Sequence, residues 1–149
     1  MIVTSSDEMR EFGKEVAGFL LQETSPKIVL LDGPLGAGKT ELAKGIVEGL
    51  GVTELVTSPT FSIINQYSFG DIEIYHIDLY RIQTEDLHNL GIEELLEQRD
   101  AFVIVEWASL HPQLFDECYT VKLSMVEDEP SHRKLSLSEL PNGESQWFR

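Results

Sequence analysis

The segment Gly33-Pro34-Leu35-Gly36-Ala37-Gly38-Lys39-Thr40 constrains this chain more than any other, because it matches G-x-x-x-x-G-K-[ST] between two strongly patterned stretches. Before it, Lys27-Ile28-Val29-Leu30-Leu31-Asp32 is a short apolar run following Pro26, as suits a buried parallel strand. After it, Leu42, Ile46, Val47 and Leu50 recur on one side of a helix that Gly49 and Gly51 close. Strand, glycine loop and helix in that order turn successive backbone N–H groups and a helix N-terminus toward an anion, and Lys39 adds a mobile positive charge. The expectation is a phosphate-binding loop. Leu35, Gly36, Ala37, Gly38 and Lys39 would hold the phosphates, and Thr40 would offer its hydroxyl to magnesium.

The rest of the chain supplies a scaffold for such a loop. Ser5-Ser6-Asp7-Glu8 has the form of a capping box, and Met9, Phe12, Val16, Phe19 and Leu20 then recur at helical spacing. Phe61, Ile63, Tyr67 and Phe69 alternate with Thr60, Ser62, Gln66 and Ser68, interrupted at Ile64 and Asn65. Gly70-Asp71 suits a two-residue hairpin loop with glycine first, and residues 72–80 alternate again. His76, Asp78 and Tyr80 fall on one side of that strand, read as its outer face, and Tyr75, Ile77 and Leu79 on the other. Residues 84–98 read as one broken helix or two short ones around Gly91, and residues 101–105 as a second buried strand ending at Glu106. Two more strands are expected at residues 119–126 and 133–137 around a polar loop. These elements predict an α/β fold: a single P-loop NTPase domain over the 149 residues, with a mixed β-sheet flanked by helices and a β-hairpin after the loop helix.

Phosphoryl chemistry on a triphosphate also needs an acid to order magnesium and a group to orient the attacking water or hydroxyl. Glu106, at the end of the apolar run Phe102-Val103-Ile104-Val105, and Asp78, in His76-Ile77-Asp78-Leu79-Tyr80-Arg81, both stand at strand ends where such acids are expected. A solvated strand terminus is the bland reading of Glu106, and a half-exposed polar face that of Asp78. Thr60, in Ser58-Pro59-Thr60-Phe61, stands where a switch segment would touch the terminal phosphate or its metal; alone it would be read as a turn. His76 alone reads as a structural histidine. The four histidines and single cysteine show no zinc spacing.

Charge then narrows the partners. Eleven Lys and Arg against 26 Asp and Glu leave a formal charge of −15, a field that repels phosphate backbones and anionic lipid surfaces. Strong direct binding to nucleic acid or membrane is therefore not expected. Residues 71–117 carry 12 acidic and two basic residues. Of these, Glu85, Asp86, Glu93, Glu94 and Glu97 suit either a surface for a basic partner or a solvated helix face. The lone Cys118 suits a reducing compartment, and no apolar run approaches the roughly 20 residues of a membrane span. A cytoplasmic protein is expected.

Taken in order, residues 33–40, Ser58-Pro59-Thr60-Phe61, His76-Ile77-Asp78-Leu79-Tyr80-Arg81 and Val105-Glu106-Trp107 resemble the TsaE family, small bacterial P-loop ATPases of the tRNA threonylcarbamoyladenosine pathway. The resemblance covers about residues 5–110. It implies a magnesium-dependent ATPase, slow in isolation, that acts with TsaD and TsaB. Those two proteins transfer a threonylcarbamoyl group to an adenosine beside the tRNA anticodon, and ATP hydrolysis by the family supports repeated turnover. By the same resemblance Lys39 and the loop amides hold the phosphates of ATP, Thr40 and Asp78 hold magnesium with Glu106 beside them, and Glu106 is the base or water-orienting acid. Thr60 resembles the switch threonine, while Tyr80, Arg81 and Trp107 match family positions without an assigned role. Two other readings stay open: a small-molecule kinase, disfavoured by five scattered arginines, and a nucleotide-dependent binding module that does not require hydrolysis.

Overall fold

The computed structural model describes residues 1–22, 27–54, 56, 63–98, 100–115 and 118–138. Its strands are β1 (Ile2–Val3), β2 (Lys27–Asp32), β3 (Ile64–Phe69), β4 (Ile72–Asp78), β5 (Ala101–Glu106), β6 (Tyr119–Val126) and β7 (Glu129–Ser138). The helices are α1 (Ser6–Gln22), α2 (Lys39–Gly49) and α3 (Ile92–Leu96), with single 3-10 turns at Thr84–Asp86, Ala108–Leu110 and Pro112–Leu114. All seven strands form one sheet in the order β1-β7-β6-β2-β5-β4-β3. β2 runs parallel to both β5 and β6, and β4 parallel to β5, while the hairpins β3–β4 and β6–β7 extend the sheet antiparallel on either side. The mixed α/β architecture expected from the sequence is the one observed.

Parallel strands put their C-terminal ends on one edge, so Asp32, Asp78 and Glu106 finish side by side, with Asp78 level with Glu106 and Leu31 level with Glu106 on the other flank. Open α/β sheets bind ligands at that edge. The hairpin loop is Gly70-Asp71, as expected, with Phe69 paired to Ile72 and Gly70 at a φ of +58°. The break in alternation at Ile64 has a physical cause. Ile63 has a φ of +67°, so β3 begins only after it, and Ile64 then packs into the core on the opposite face from Tyr67.

That second core is what the reading of residues 72–80 missed. Helices α1 and α2 cover one face of the sheet with Met9, Phe12, Val16, Leu20, Leu42 and Ile46. The 3-10 turns and α3 cover the other through Leu87, Ile92 and Leu95, packed on Ile28, Ile77 and Val103. With both faces covered, β4 has no outer face: His76 and Asp78 are buried, and of the three residues assigned outward only Tyr80 is exposed. Glu85, Asp86, Glu94 and Glu97 form the exposed side of the segment whose apolar residues close this core.

One boundary and one helix cap also differ from expectation. β7 starts at Glu129 rather than near residue 133, because the hairpin turns within Glu127-Asp128, where Asp128 takes a φ of +62° and the register slips at Met125 and Val126. The tip of this hairpin is exposed on both faces, so its polar residues carry no alternation to read. At the start of α1, Ser5 Oγ accepts from the Glu8 amide at 3.1 Å, but the Glu8 carboxylate reaches one residue further than in a capping box and accepts from the Thr4 amide at 2.6 Å.

Candidate functional site

The loop of residues 33–40 leaves β2 and enters α2 through Gly38, which has a φ of +99°. A side chain there would be strained, and its Cβ would lie 3.0 Å from Met9 Cε. Gly38 supplies no side-chain cap, which leaves the first amides of α2 without the acceptor that a capping side chain would give them. Within the loop, Ala37 N–H bonds the Pro34 carbonyl at 3.1 Å, and the Ala37 methyl is buried in the helical core.

Lys39 is buried, 5% exposed, and its Nζ donates to the carbonyls of Gly33 at 2.6 Å and Pro34 at 3.0 Å. The ammonium also lies 4.2 Å from the centre of the Trp107 ring. Burial pulls its pKa below the ordinary lysine value, while Glu106, Asp78 and Asp32 oppose that shift. Trp107 reaches this position from a left-handed backbone, φ +63°, immediately after Glu106, and its ring packs on Tyr80 with centroids 4.7 Å apart.

The two candidate acids are held differently. Asp78 Oδ1 accepts from the Tyr80 amide at 2.9 Å, and the Asp78 amide donates to the Ile63 carbonyl at 2.9 Å. Glu106 is 3% exposed, and its Oε2 lies 2.6 Å from His76 Nε2. Leu35, Gly36, Gly38, Lys39, Thr40, Asp78 and Glu106 line one cleft of about 320 Å³, which Trp107 also borders. Seven of the nine residues expected at the site thus meet in one cleft. Ala37 faces the adjoining one, and Thr60 lies outside the described residues.

That adjoining cleft, about 390 Å³, shares Gly36 and Gly38 and is bounded by Thr4, Ser5 and Ser6 at the start of α1 and by Arg133 on β7. Arg133 Nη2 donates to the Gly36 carbonyl at 3.3 Å. No sequence signal points to Arg133, which is 97 positions from the glycine it touches. His76 was named from sequence but read as structural; its position two residues before Asp78 was the available signal. Arg81 is exposed and does not line the cleft.

Among the described residues no three His, Cys, Asp or Glu side chains cluster as a metal cage. A magnesium ion needs no such cage, since it is held by one or two carboxylates together with substrate phosphates.

Comparison with known proteins bears on the same residues. The sequence profile described as "Threonylcarbamoyl adenosine biosynthesis protein TsaE" matches residues 3–135. The chain belongs to the TsaE family. The match extends past residue 110, where the sequence resemblance ended, and takes in β6 and most of β7. The tRNA threonylcarbamoyladenosine biosynthesis protein TsaE of a Nostoc strain is 43% identical over 100 residues, 64% of this chain and 62% of that protein. The chain thus spans about three fifths of the length of that relative. The protein of the same name from Treponema pallidum is 37% identical over 124 residues, 83% of this chain and 88% of that one. Among solved structures, YdiB of Bacillus subtilis superposes with a TM-score of 0.73 at 29% identity, covering 95% of this chain and 85% of YdiB. No helix among the described residues is long and apolar enough to cross a membrane.

Proposed function

We propose that this TsaE-family chain is a magnesium-dependent ATPase that supports repeated turnover in threonylcarbamoyladenosine modification of tRNA, acting with TsaD and TsaB. The observation that carries the reading is the meeting of Lys39, Thr40, Asp78 and Glu106, from three separate elements, in one cleft at the C-terminal edge of the parallel strands. A phosphate-binding loop alone would account for Lys39 and Thr40; two buried acids beside it are what hydrolysis needs.

The residues divide the work by chemistry. The α2 amides and Lys39 bind phosphate oxygens, Lys39 exchanging the Gly33 and Pro34 carbonyls for them. Thr40 and Asp78, with Glu106 beside them, would hold magnesium, and the bound ion would neutralise charge on the phosphate oxygens. Glu106 orients water and accepts its proton. The second cleft, on the other side of Gly36 and Gly38, has room for the sugar and base. Arg81 is exposed and outside the cleft, and Arg133, which does touch the loop, bonds the Gly36 carbonyl from the adjoining cleft, which supports slow turnover in isolation. The charge of −15 supports tRNA being held by the partners rather than by this chain.

The test is phosphate release by the purified protein with and without TsaD and TsaB, run beside multiple-turnover tRNA modification from threonylcarbamoyl-AMP. Partner-dependent release and a rise in modified tRNA per enzyme are expected. Glu106→Gln should bind ATP yet lose both; tRNA turnover that survived the loss of hydrolysis would overturn the ATPase role in favour of a nucleotide-dependent binding module.

A further inference from the structure

His76 has no part in the reading above, yet it is the side chain that touches Glu106. The two residues stand on adjacent parallel strands, with Asp78 level with Glu106 and His76 level with Ile104, so His76 lies one pleat below the acid on the same face of the sheet. Its ring is fully buried, and its neighbours along that face, Ile74 and Ile104, are apolar. Nothing in such a place calls for a polar ring except Glu106 Oε2, 2.6 Å from Nε2.

The surroundings of the two ring nitrogens favour one direction for the bond. His76 Nδ1 is buried and has no hydrogen-bond partner among the described residues. With the proton on Nδ1, Nε2 would turn a lone pair toward the carboxylate oxygen 2.6 Å away and Nδ1 would be a buried donor without an acceptor, so the favoured tautomer carries its proton on Nε2 and donates it to the carboxylate. One oxygen of Glu106 is then committed to His76, and the other is left for the cleft with Lys39, Thr40 and Asp78. A glutamate side chain has three torsions to restrain, and a carboxylate that must aim one oxygen at a water or a metal gains from having the other tied down.

We propose that His76 is a positioning residue, whose Nε2–H holds Glu106 Oε2 so that a single carboxylate oxygen faces the reacting water and its metal. The inference rests on the role given to Glu106 above. Three measurements test it on the full chain. First, the ¹⁵N spectrum of the histidine rings should show His76 protonated at Nε2 and bare at Nδ1; the opposite tautomer would overturn the proposal. Second, with TsaD and TsaB present, His76→Leu should lower kcat by about 10- to 100-fold, the range for residues that orient a metal or catalytic ligand, with KM for ATP unchanged within about twofold. His76→Gln, which keeps an amide donor near the same place, should recover part of that loss and also serves if the leucine variant folds poorly. Third, His76→Leu added to Glu106→Gln should cost nothing more, because its target is already gone. Equal losses in the leucine and glutamine variants that track melting temperature, or full additivity with Glu106→Gln, would make His76 merely structural. Failure of the underlying reading looks different: wild-type protein would release no phosphate with partners present. His76 is then judged by its ring spectrum in Glu106→Gln, where loss of the carboxylate partner should move the Nε2 resonance, and a resonance unchanged from wild type would overturn the proposal.

Discussion

Adding one methyl group to α1 tests whether the phosphate-binding helix is held by direct backbone contact. At Gly13 a Cβ would lie 2.5 Å from the Leu42 carbonyl oxygen and 2.8 Å from both Gly45 Cα and Ile46 N. Ordinary contact begins at 3.4 Å, so α1 and α2 must separate by about 0.9 Å to admit it, and none of the three obstructing atoms is the end of a flexible side chain. Overpacking of this kind costs about 1–3 kcal/mol, and a backbone obstruction belongs in the upper half of that range. Replacing glycine by alanine within a helix returns about 1 kcal/mol. The net expectation for Gly13→Ala is a loss of about 1–2 kcal/mol, or roughly 2–8 °C in Tm for a chain of this size. Gly18 provides the control on the same helix, since its Cβ would meet nothing within 4 Å. There the propensity gain stands alone, and Tm should rise by about 2–4 °C. Thermal and urea melts of both variants measure the contrast. Because α2 begins at Lys39 and Thr40, Gly13→Ala should also weaken ATP binding while Gly18→Ala does not. If Gly13→Ala proved as stable as Gly18→Ala, the helices would not be in backbone contact and the argument would fail.

Lys39→Ala removes the cation at the loop, and ATP affinity should fall by at least about 100-fold in equilibrium binding, in line with the loss of charge-assisted bonds; wild-type affinity would refute the phosphate role. Trp107→Leu removes the ring over the buried Lys39 ammonium, a contact worth about 2 kcal/mol when desolvated that Lys39 gives up on turning to phosphate, so ATP should bind about 30-fold more tightly. Weaker binding would instead place the indole against the nucleotide. Glu41 joins Arg10 on α1 to Lys44 on α2 and is held below the usual 4.5, first by the hydrogen bond from Lys44, against burial, with Arg10 adding to it. A depressed carboxylate contributes stability that is complete above 4.5 and lost as pH falls through its folded value. The Tm difference between wild type and Glu41→Gln should therefore be positive near neutrality and close as pH drops below 4.5, and a gap that widened there would reverse the sign. For Asp78→Ala, magnesium should stimulate ATP binding less than in wild type, and an identical magnesium titration would remove Asp78 from the metal site.

Sequence by itself determined the parts of this protein that are local. The run Lys27–Asp32, the glycines and Lys39–Thr40 that follow, and the helix after them lie within about 25 consecutive residues, and each step of that path is enforced by near neighbours. Glu106 was legible for the same reason, as a charge ending a run that is buried at every position. Tertiary structure decided what distant segments bring. Alternation along residues 72–80 sorts side chains into two sets but says nothing about what covers each set; α1 and α2 cover one and α3 with the 3-10 turns the other, which buries His76 and Asp78. The meeting of His76 with Glu106, 30 positions apart, follows from the parallel pairing of β4 with β5, and that of Arg133 with Gly36 from the return of β7. Gly13 and Gly45 show no special pattern in sequence, yet they set how closely the phosphate-binding helix can lie against α1. Periodicity reports the environment one turn or one pleat away. Which carboxylate oxygen is free to work is a matter of strand order and register, and those exist only once the sheet has formed.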